Sequence, residues 1–316
     1  MWNVSLIPDQ ASTTARRVDA LFLFDLGALV FFTGLVVVLI LGFLIRYRQS
    51  AKVNRADPPR TSVKLEILWI GTPLALGMTM FTWGFIAYYH QYSPPADATD
   101  IYVVGKRWMW KLQHPEGKSE ISELHVPVGQ AVRLVMTSED VIHSFFVPAF
   151  RIKQDVLPGR YTEMWFRPTK AGRFHLFCAE FCGTNHSRMV GSVVVQTPED
   201  YARWLSSGVG SASMARQGEE LFVRYHCMGC HGASQMVRAP RLEGVYGSRV
   251  PIQEGSAIRF VTADDRYIRD SILLPKSQVA AGYEPVMPSF QGQIAEADLL
   301  KIIEYIKSLG AKGTDR

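Results

Sequence analysis

Cysteine is scarce in this chain of 316 residues: the four cysteines form two close pairs, Cys178/Cys182 and Cys227/Cys230. A disulfide within either pair would close only a very short loop and would stabilise a chain of this length poorly. Close pairs are more typical of metal ligands or of attachment points for a prosthetic group. The scarcity therefore excludes a disulfide framework and directs attention to the surroundings of the two pairs.

The chain also lacks a basic face of the kind that binds nucleic acid. It has 34 lysine and arginine residues against 29 acidic residues, and the excess lies almost entirely between Arg46 and Lys64. We therefore expect no nucleic-acid partner. A phosphate-binding loop, a catalytic triad and internal repeats are also missing. A composition that is 47% hydrophobic and 20% charged excludes a disordered or collagen-like chain, and the length predicts two or three domains.

Charge is absent from two long stretches near the N-terminus, residues 26–45 with 20 residues and residues 67–89 with 23 residues. Each stretch is long enough to cross a hydrocarbon core of about 30 Å as a helix. We predict a two-helix transmembrane hairpin within residues 1–95, with helices over about residues 20–45 and 66–90. A cleaved signal peptide is the alternative for the first helix, but its apolar run is too long.

The loop between the two stretches is basic, and this feature predicts the orientation of the hairpin. Lysine and arginine are concentrated in cytoplasmic loops. We therefore expect this loop in the cytoplasm and both ends of the chain outside, in the periplasm or its equivalent.

Residues 96–205 show short β-rich runs separated by turn residues. The runs cover residues 101–104, 123–128, 131–137, 161–167, 173–178 and 190–196. This spacing is typical of a small antiparallel sandwich or barrel. Thr197 followed by Pro198 predicts a short helix through Trp204, and the small residues at 206–213 predict a flexible linker.

Beyond the linker, residues 214–316 have a helical pattern. Near the end, apolar residues recur at helical spacing, Lys307 falls in the last turn and Gly310 follows it, which predicts an amphipathic terminal helix. The apolar positions are Leu299, Ile302, Ile303, Ile306 and Leu309.

Soft metal ligands are concentrated directly after one predicted strand. Four such side chains fall within twelve positions, and one histidine lies upstream: Cys178, Cys182, His186, Met189 and His143. Thiolate, thioether and imidazole ligands favour copper, zinc or iron–sulfur over hard cations. Two thiolates could bridge two metal ions, with one histidine terminating each. A structural zinc site and a disulfide are the alternatives, although zinc would give the methionine no role.

These ligands resemble, in type and order, the binuclear copper A site of cytochrome c oxidase subunit II. The resemblance extends over residues 20–196 and includes Gly105-Lys106-Arg107-Trp108-Met109-Trp110 and Leu157-Pro158-Gly159-Arg160. It implies a cupredoxin-like antiparallel β-barrel and two copper ions. The ligands that it implies are His143, Cys178, Glu180 through its backbone carbonyl, Cys182, His186 and Met189.

The same resemblance implies roles for two further residues. Trp108 matches the family's tryptophan where electrons enter copper A, although this chain has Met109 where the family usually has an aromatic residue. Plain packing of an interfacial aromatic is the alternative. Glu66 is similar to a glutamate at the mouth of a proton channel into the catalytic subunit. A solvated glutamate at a helix end is the alternative there.

The second cysteine pair belongs to the motif Cys227-Met228-Gly229-Cys230-His231. In a Cys-x-x-Cys-His motif the two thiols bond to the haem vinyl groups and the histidine ligates the iron. A thioredoxin-like redox pair is the alternative, but no βαβ pattern surrounds the motif. A downstream methionine is expected as the second axial ligand. Met236 is too near the motif, whereas Met287 lies in a proline-flanked loop, so we predict Met287.

Residues 214–310 resemble class I cytochrome c, an all-α fold with a covalently bound haem c. The resemblance rests on the haem motif, a first helix with Gly218 and Phe222, the segment around Pro240, and Tyr305 in the terminal helix. It implies that the Pro240 carbonyl accepts the ring proton of His231, which fixes the tautomer of the ligating imidazole.

Neither metal site leaves an obvious open position for substrate, so we expect a chain that carries electrons. The whole chain resembles subunit II of a bacterial cytochrome c oxidase with a fused cytochrome c. The resemblance implies transfer from an external donor through haem c and copper A to the oxygen-reducing subunit of a proton-pumping respiratory complex. The flexible linker would hold the haem at high effective concentration.

The expected partners are oxidase subunit I and other membrane subunits, a periplasmic donor such as a cytochrome c, and membrane lipid. The expected location is the bacterial inner membrane, as a multi-pass protein with both metal domains on the periplasmic side. Two alternatives stay open on sequence alone. One is the copper A subunit of a nitric oxide reductase, and the other is a membrane-anchored copper-delivery protein.

Overall fold

The computed structural model describes residues 7–53, 62–207, 212–232, 239–255 and 257–310. Two long helices come first, α1 (Thr13–Arg46) and α2 (Val63–Gln91). Both are long and apolar enough to cross a membrane. They extend beyond the predicted limits because the apolar pattern marks only the part of a helix that suits hydrocarbon.

The first turns of α1 are anchored on the β-rich part of the chain, residues 99–196, which we call the β domain. Ser12 caps α1 by accepting a hydrogen bond from the Ala15 amide at 3.0 Å. Its hydroxyl also donates to the Phe150 carbonyl at 2.8 Å. Asp19 forms two hydrogen bonds with the Arg151 guanidinium, at 2.8 and 2.9 Å. The N-terminal end of α1 therefore lies against the β domain.

The C-terminal end of α2 reaches the same domain. The Trp165 indole N–H donates to the His90 carbonyl, near the end of α2, at 2.8 Å. Since one end of each helix meets the β domain, the C-terminal end of α1 and the N-terminal end of α2 lie at the opposite end of the helix pair.

The β domain consists of two five-stranded sheets that enclose an apolar core. The strands are β1 (Thr99–Lys106), β2 (Met109–Gln113), β3 (Ser119–Ile121), β4 (Glu123–Pro127), β5 (Val132–Ser138), β6 (His143–Val147), β7 (Ile152–Val156), β8 (Thr162–Phe166), β9 (Gly172–Cys178) and β10 (Val190–Gln196). The first sheet has the order β3-β2-β1-β5-β8 and the second β4-β10-β9-β6-β7.

Pairing within the sheets is mainly antiparallel, as a cupredoxin-like barrel requires. Two pairs, β1 with β5 and β4 with β10, are parallel. The largest side chains of the core belong to Trp110, Phe145, Phe150 and Phe166, all fully buried. The second sheet carries β6, which begins at His143, and β9, which ends at Cys178. The other predicted metal ligands lie in the segment between β9 and β10.

A short helix and a mainly helical C-terminal domain follow. The elements are α3 (Pro198–Ser206), α4 (Met214–Arg224), α5 (Met228–His231), β11 (Arg249–Glu254), β12 (Ala257–Thr262), α6 (Asp265–Leu273), β13 (Val279–Ala280) and α7 (Glu296–Ser308). The predicted linker falls between α3 and α4, and its residues 208–211 lie outside the described residues.

The C-terminal domain was expected to be helical, and its helices α4 and α7 cross at very close range. A Cβ atom at Gly218 would come within 1.9 Å of the Lys301 carbonyl oxygen, so only glycine fits at this crossing. The three-stranded sheet β12-β11-β13 is an addition that the all-α expectation did not include.

Candidate metal centre and haem crevice

The loop between β9 and β10 brings Cys178 against three other predicted ligands. The Cys178 sulfur lies 3.9 Å from Nδ1 of His143, which begins β6. It lies 3.3 Å from the Glu180 carbonyl oxygen and 3.9 Å from the Cys182 sulfur. The ligand atoms of the histidine and of both cysteines all lie within 4.8 Å of one another and are buried.

The remaining two predicted ligands lie close to Cys182. Its sulfur lies 3.5 Å from Nδ1 of His186 and 3.8 Å from the Met189 thioether. Met189 is almost fully buried, and its amide donates to the His186 carbonyl at 3.0 Å in a short 3-10 turn. All six predicted groups therefore lie around the cysteine pair, in an arrangement whose donor chemistry fits soft metal ions.

Two residues that sequence reasoning missed fix the His143 ring. The Asp140 carboxylate accepts a hydrogen bond from Nε2 of His143 at 2.8 Å, which leaves Nδ1 facing Cys178. Gly105 on β1 packs against the ring from another side, since a Cβ there would lie 2.9 Å from Cδ2 of His143. A carboxylate on the outer nitrogen of a ligating histidine is a common support, so the acid three residues earlier was an available signal.

The two thiols differ in acidity. Burial raises the pKa of Cys178, but hydrogen bonds with His143 and with the backbone outweigh burial and lower that pKa to about 6. Burial and the neighbouring Cys178 charge raise the pKa of Cys182 to about 12. One thiolate is thus available at neutral pH, and binding of a metal would release the proton of the other.

Trp108 lies between β1 and β2 and touches the ligand loop. A Cβ at Gly183, next to Cys182, would lie 3.6 Å from Cζ2 of Trp108. The indole nitrogen is buried without a hydrogen-bond partner among the described residues. The other predicted residue, Glu66, lies in the first turn of α2. The structure does not bring Glu66 near the cysteine pair.

The haem motif forms α5 and the wall of an apolar crevice. Cys227, His231, Pro240 and Met287 line two adjoining cavities of about 140 and 280 Å³, and Cys230 lines the second. Nδ1 of His231 lies 2.9 Å from the Pro240 carbonyl oxygen, the distance of a ring N–H that donates to it.

Most of the remaining crevice wall is apolar. Three helices contribute to it, for example through Phe222 of α4, Ile268 of α6 and Ile302 of α7. A thiol pair, an imidazole and a thioether facing an apolar crevice fit a haem. Met236, the methionine not chosen, lies outside the described residues.

Comparisons with known proteins cover both sites. The family model described as cytochrome c oxidase subunit II, periplasmic domain, matches residues 118–197, and the cytochrome c family model matches residues 215–310. The probable cytochrome c oxidase subunit 2 of Rickettsia bellii is 30% identical over 214 residues, which are 60% of this chain and 77% of that protein.

Two further proteins are similar to the chain. The cytochrome c oxidase subunit 2 of Alkalihalophilus pseudofirmus is 26% identical over 291 residues, 87% of this chain and 82% of that protein. The solved periplasmic domain of subunit II of cytochrome oxidase of Bradyrhizobium japonicum is 32% identical and covers 36% of this chain and 96% of that chain, with a TM-score of 0.35.

Proposed function

The chain belongs to the cytochrome c oxidase subunit II family and carries a cytochrome c domain at its C-terminus, and on this premise we propose how its residues hold two coppers and one haem. It is the electron-transfer subunit of a haem–copper oxidase, anchored in the membrane with a periplasmic domain and associated with subunit I. The number of coppers, the covalent haem, the residue roles and the donor are the proposal.

Two copper ions would be held, in this proposal, by His143, Cys178, the Glu180 carbonyl, Cys182, His186 and Met189. The observation that carries it is the pair of sulfurs 3.9 Å apart, with one histidine nitrogen 3.9 Å from Cys178 and another 3.5 Å from Cys182. The copper pair would supply a one-electron centre that rearranges little on reduction. The protein's part is to bury the sulfurs, to hold the His143 tautomer through Asp140, and to keep the ligands in place with or without the electron.

One haem c would be held, in this proposal, through covalent bonds to Cys227 and Cys230 and through His231 and Met287 as iron ligands. With a histidine and a methionine as ligands, the group would supply a one-electron centre of raised potential. Pro240 supports His231, because its carbonyl oxygen lies at hydrogen-bond distance from the ring nitrogen. The apolar crevice excludes water from the rest of the group.

The chain is, in this proposal, a two-span protein of the bacterial inner membrane, and lipid or other subunits cover the exposed apolar faces of α1 and α2. The N-terminal end of α1 and the C-terminal end of α2 are both attached to the β domain, which supports periplasmic placement of both metal domains. We assign residues 1–95 to the hairpin, 96–205 to the copper domain, 206–213 to the linker and 214–316 to the cytochrome c domain.

Trp108, Glu66 and the donor complete the proposal. A periplasmic cytochrome c is the donor. Trp108 lies against the ligand loop at Gly183, in a position suited to carry electrons into the copper pair. Glu66 stands at the cytoplasmic end of α2, where it would admit protons to subunit I.

The test is Cys182→Ser in the purified oxidase complex, read by electron paramagnetic resonance and by haem staining of the denatured chain. We expect the wild type to show a mixed-valence copper signal and a haem that stays with the chain after denaturation. The variant should lose the copper signal, because serine cannot bridge soft metal ions, and should keep the covalent haem, which serves as the control for folding. Survival of the signal in the variant would refute the bridged pair. Single, exchangeable copper in the wild type would favour copper delivery.

A further inference from the structure

The C-terminal domain packs on the outer face of the first sheet of the β domain. One apolar cluster contains Tyr102, Val104 and Val135 from β1 and β5 together with buried residues of α4, α6 and α7. Ile268 and Ile302 belong to this cluster and also line the haem crevice. A layer of helices therefore separates the crevice from the first sheet.

Charged groups are buried within this contact. The Lys307 ammonium on α7 lies 3.1 Å from Asp100 and 2.7 Å from the Tyr102 hydroxyl, both on β1. It also lies 2.8 Å from Asp265 and 3.1 Å from Glu304 of its own domain. Burial lowers the pKa of Lys307, but the surrounding carboxylates outweigh burial and raise it, so the ammonium stays charged.

Arg133 on β5 completes the charged cluster. Its guanidinium donates two hydrogen bonds to Asp100, both at 2.7 Å, which is the paired geometry that arginine makes with a carboxylate. It also lies 3.6 Å from Asp265 of the C-terminal domain, whose side chain is 1% exposed. Asp265 accepts a further hydrogen bond from the Tyr246 hydroxyl at 2.8 Å. Each domain thus contributes a cation and a carboxylate.

Two other contacts join the domains. Arg269 of α6, whose side chain is 4% exposed, donates to the Gly159 carbonyl of the β domain at 2.7 Å and to Glu296 at 2.6 Å. At the start of α4, the Met214 amide donates to the Pro115 carbonyl at 2.9 Å. Together with the charged cluster, these contacts involve α4, α6 and α7 and favour one orientation of the C-terminal domain.

We propose that Asp100, Arg133, Asp265 and Lys307, which we call the docking lock, are positioning residues that fix the C-terminal domain on the β domain. Electron transfer within the chain then takes place in one preformed arrangement, and not by chance encounters of a tethered domain. This inference rests on the proposed haem and copper sites.

The physical reason is that buried charges select an orientation more strongly than they add affinity. Apolar surfaces tolerate sliding, whereas a shifted docking position would leave a cation or a carboxylate of the lock buried without a partner, which costs several kcal/mol. Misaligned arrangements are therefore excluded by the lock.

Strand β1 connects the lock with the copper ligands. Tyr102 faces the C-terminal domain, and Gly105, three residues further, lies against His143. At about 3.3 Å per residue, these positions are separated by about 10 Å along the strand. The docked face is therefore close to one ligand of the copper pair, so the orientation of the C-terminal domain bears directly on the transfer distance.

The test measures the distance between haem iron and copper pair by pulsed electron paramagnetic resonance in the purified oxidase complex. The intrachain transfer rate is measured in parallel, in buffer and in glycerol. We expect the wild type to give one narrow distance distribution and a rate that does not depend on viscosity. Lys307→Ala should broaden the distribution and lower the rate by about tenfold or more, because the carboxylates around Lys307 would be left buried without their cation and the domain would leave its docked position.

Two control variants separate the lock from general damage. Lys307→Arg keeps the charge and should keep the narrow distribution. Lys301→Ala removes a lysine of the same helix whose ammonium pairs with Asp298 of that helix at 3.1 Å, and it should behave as the wild type. If Lys307→Ala does not fold, Asp265→Asn, which removes a charge at equal size, takes its place with the same expected result.

A broad wild-type distribution with both metal signals intact would overturn the lock and leave the proposed function standing. The lock would also be overturned by a folded variant that lacks one of its charges but keeps the narrow distance distribution and the transfer rate of the wild type. Absence of the copper-pair signal or of the covalent haem in the wild type would instead overturn the proposed function.

Discussion

Gly105 and His143 are in such close contact that the β1 backbone sets the position of the imidazole ring. A Cβ at Gly105 would lie 2.9 Å from Cδ2 of the ring, and Asp140 holds Nε2 at 2.8 Å. The ring therefore cannot move away from β1 without stretching its hydrogen bond with the carboxylate.

The first prediction is that Gly105→Ala displaces His143 and weakens copper binding by about tenfold or more, as loss of support around a ligating histidine does. Copper retained after dialysis and the mixed-valence signal are the measurements. The haem content should not change, because the residues proposed to hold the haem all belong to the C-terminal domain. Full copper retention with an unaltered signal would show that the ring has room to adjust.

The second prediction concerns Met287. Replacement by alanine should lower the haem potential by about 59 mV or more, which is tenfold in a one-electron equilibrium, because the thioether favours the reduced iron. Turnover with the external donor should fall accordingly. Met228, inside the haem motif and 46% exposed, supplies the matched control, since Met228→Ala should keep the wild-type potential. An unchanged spectrum and potential in Met287→Ala would remove this ligand assignment.

The third prediction concerns pH and Asp100. Burial raises the pKa of this carboxyl, but Arg133 and Lys307 outweigh burial and hold the pKa below the ordinary 3.8. The stability that the charged carboxylate contributes is therefore complete above pH 3.8 and is lost as the pH falls through the lower, native pKa. Near neutral pH, Asp100→Asn should lower the free energy of unfolding by about 3 kcal/mol, because it removes one charged partner of the buried cluster.

Calorimetry of the purified chain checks this prediction, read as the shift of the unfolding transition. The difference between wild type and Asp100→Asn should shrink below pH 3.8, where the wild-type carboxyl also loses its charge. Asp97→Asn is the control, since its side chain is 67% exposed and pairs with Arg167 at 3.4 Å. Equal losses in the two variants would contradict a special role for the buried carboxylate.

The fourth prediction concerns Glu66. In Glu66→Gln we expect oxygen turnover to fall several-fold while the copper and haem signals stay as in the wild type. The two signals should not change because Glu66 is far from both metal sites. Helix α2 has 29 residues, which correspond to about 44 Å of helix, and it is the other end of α2 that meets the β domain. Lys64→Gln, two residues before Glu66 at the start of α2, is the control for altered charge at this helix end. Normal proton uptake in Glu66→Gln would count against the channel role.

The metal sites could be proposed from the sequence because their chemistry is local. Five of the six proposed copper ligands fall within twelve positions, and three of the proposed haem-binding residues fall within five, so residue type and spacing were enough to propose them. His143 lies 35 positions before Cys178, and the pairing of β6 with β9 brings it to the cysteines.

The strand pattern was less informative around the ligands. Six predicted runs correspond to β1, β4, β5, β8, β9 and β10, whereas β2, β3, β6 and β7 were not predicted. Strand β6 is buried at nearly every position, and β3 is only three residues long. Neither strand therefore shows the alternation of polar and apolar residues by which strands are recognised. The hairpin of β11 and β12 was not predicted for a related reason, since β12 is mostly exposed.

The packing of the C-terminal domain could not be predicted from sequence. Small residues at 206–213 predicted a free tether, whereas the contacts that hold the domain join residues as far apart as Asp100 and Lys307, which are 207 positions apart. Local pattern carries no information on such pairs. The close crossing at Gly218 is similar, because it depends on Lys301 in a distant helix.

The hydrogen bonds of Arg151 with Asp19 and of Trp165 with the His90 carbonyl attach the β domain separately to the two apolar helices α1 and α2. A domain on a single helix could rotate about it, but two points of support remove that rotation. In the proposed two-span arrangement, the tilt of the proposed copper ligands relative to the plane of the bilayer is therefore inherited from the way the two helices pack inside it.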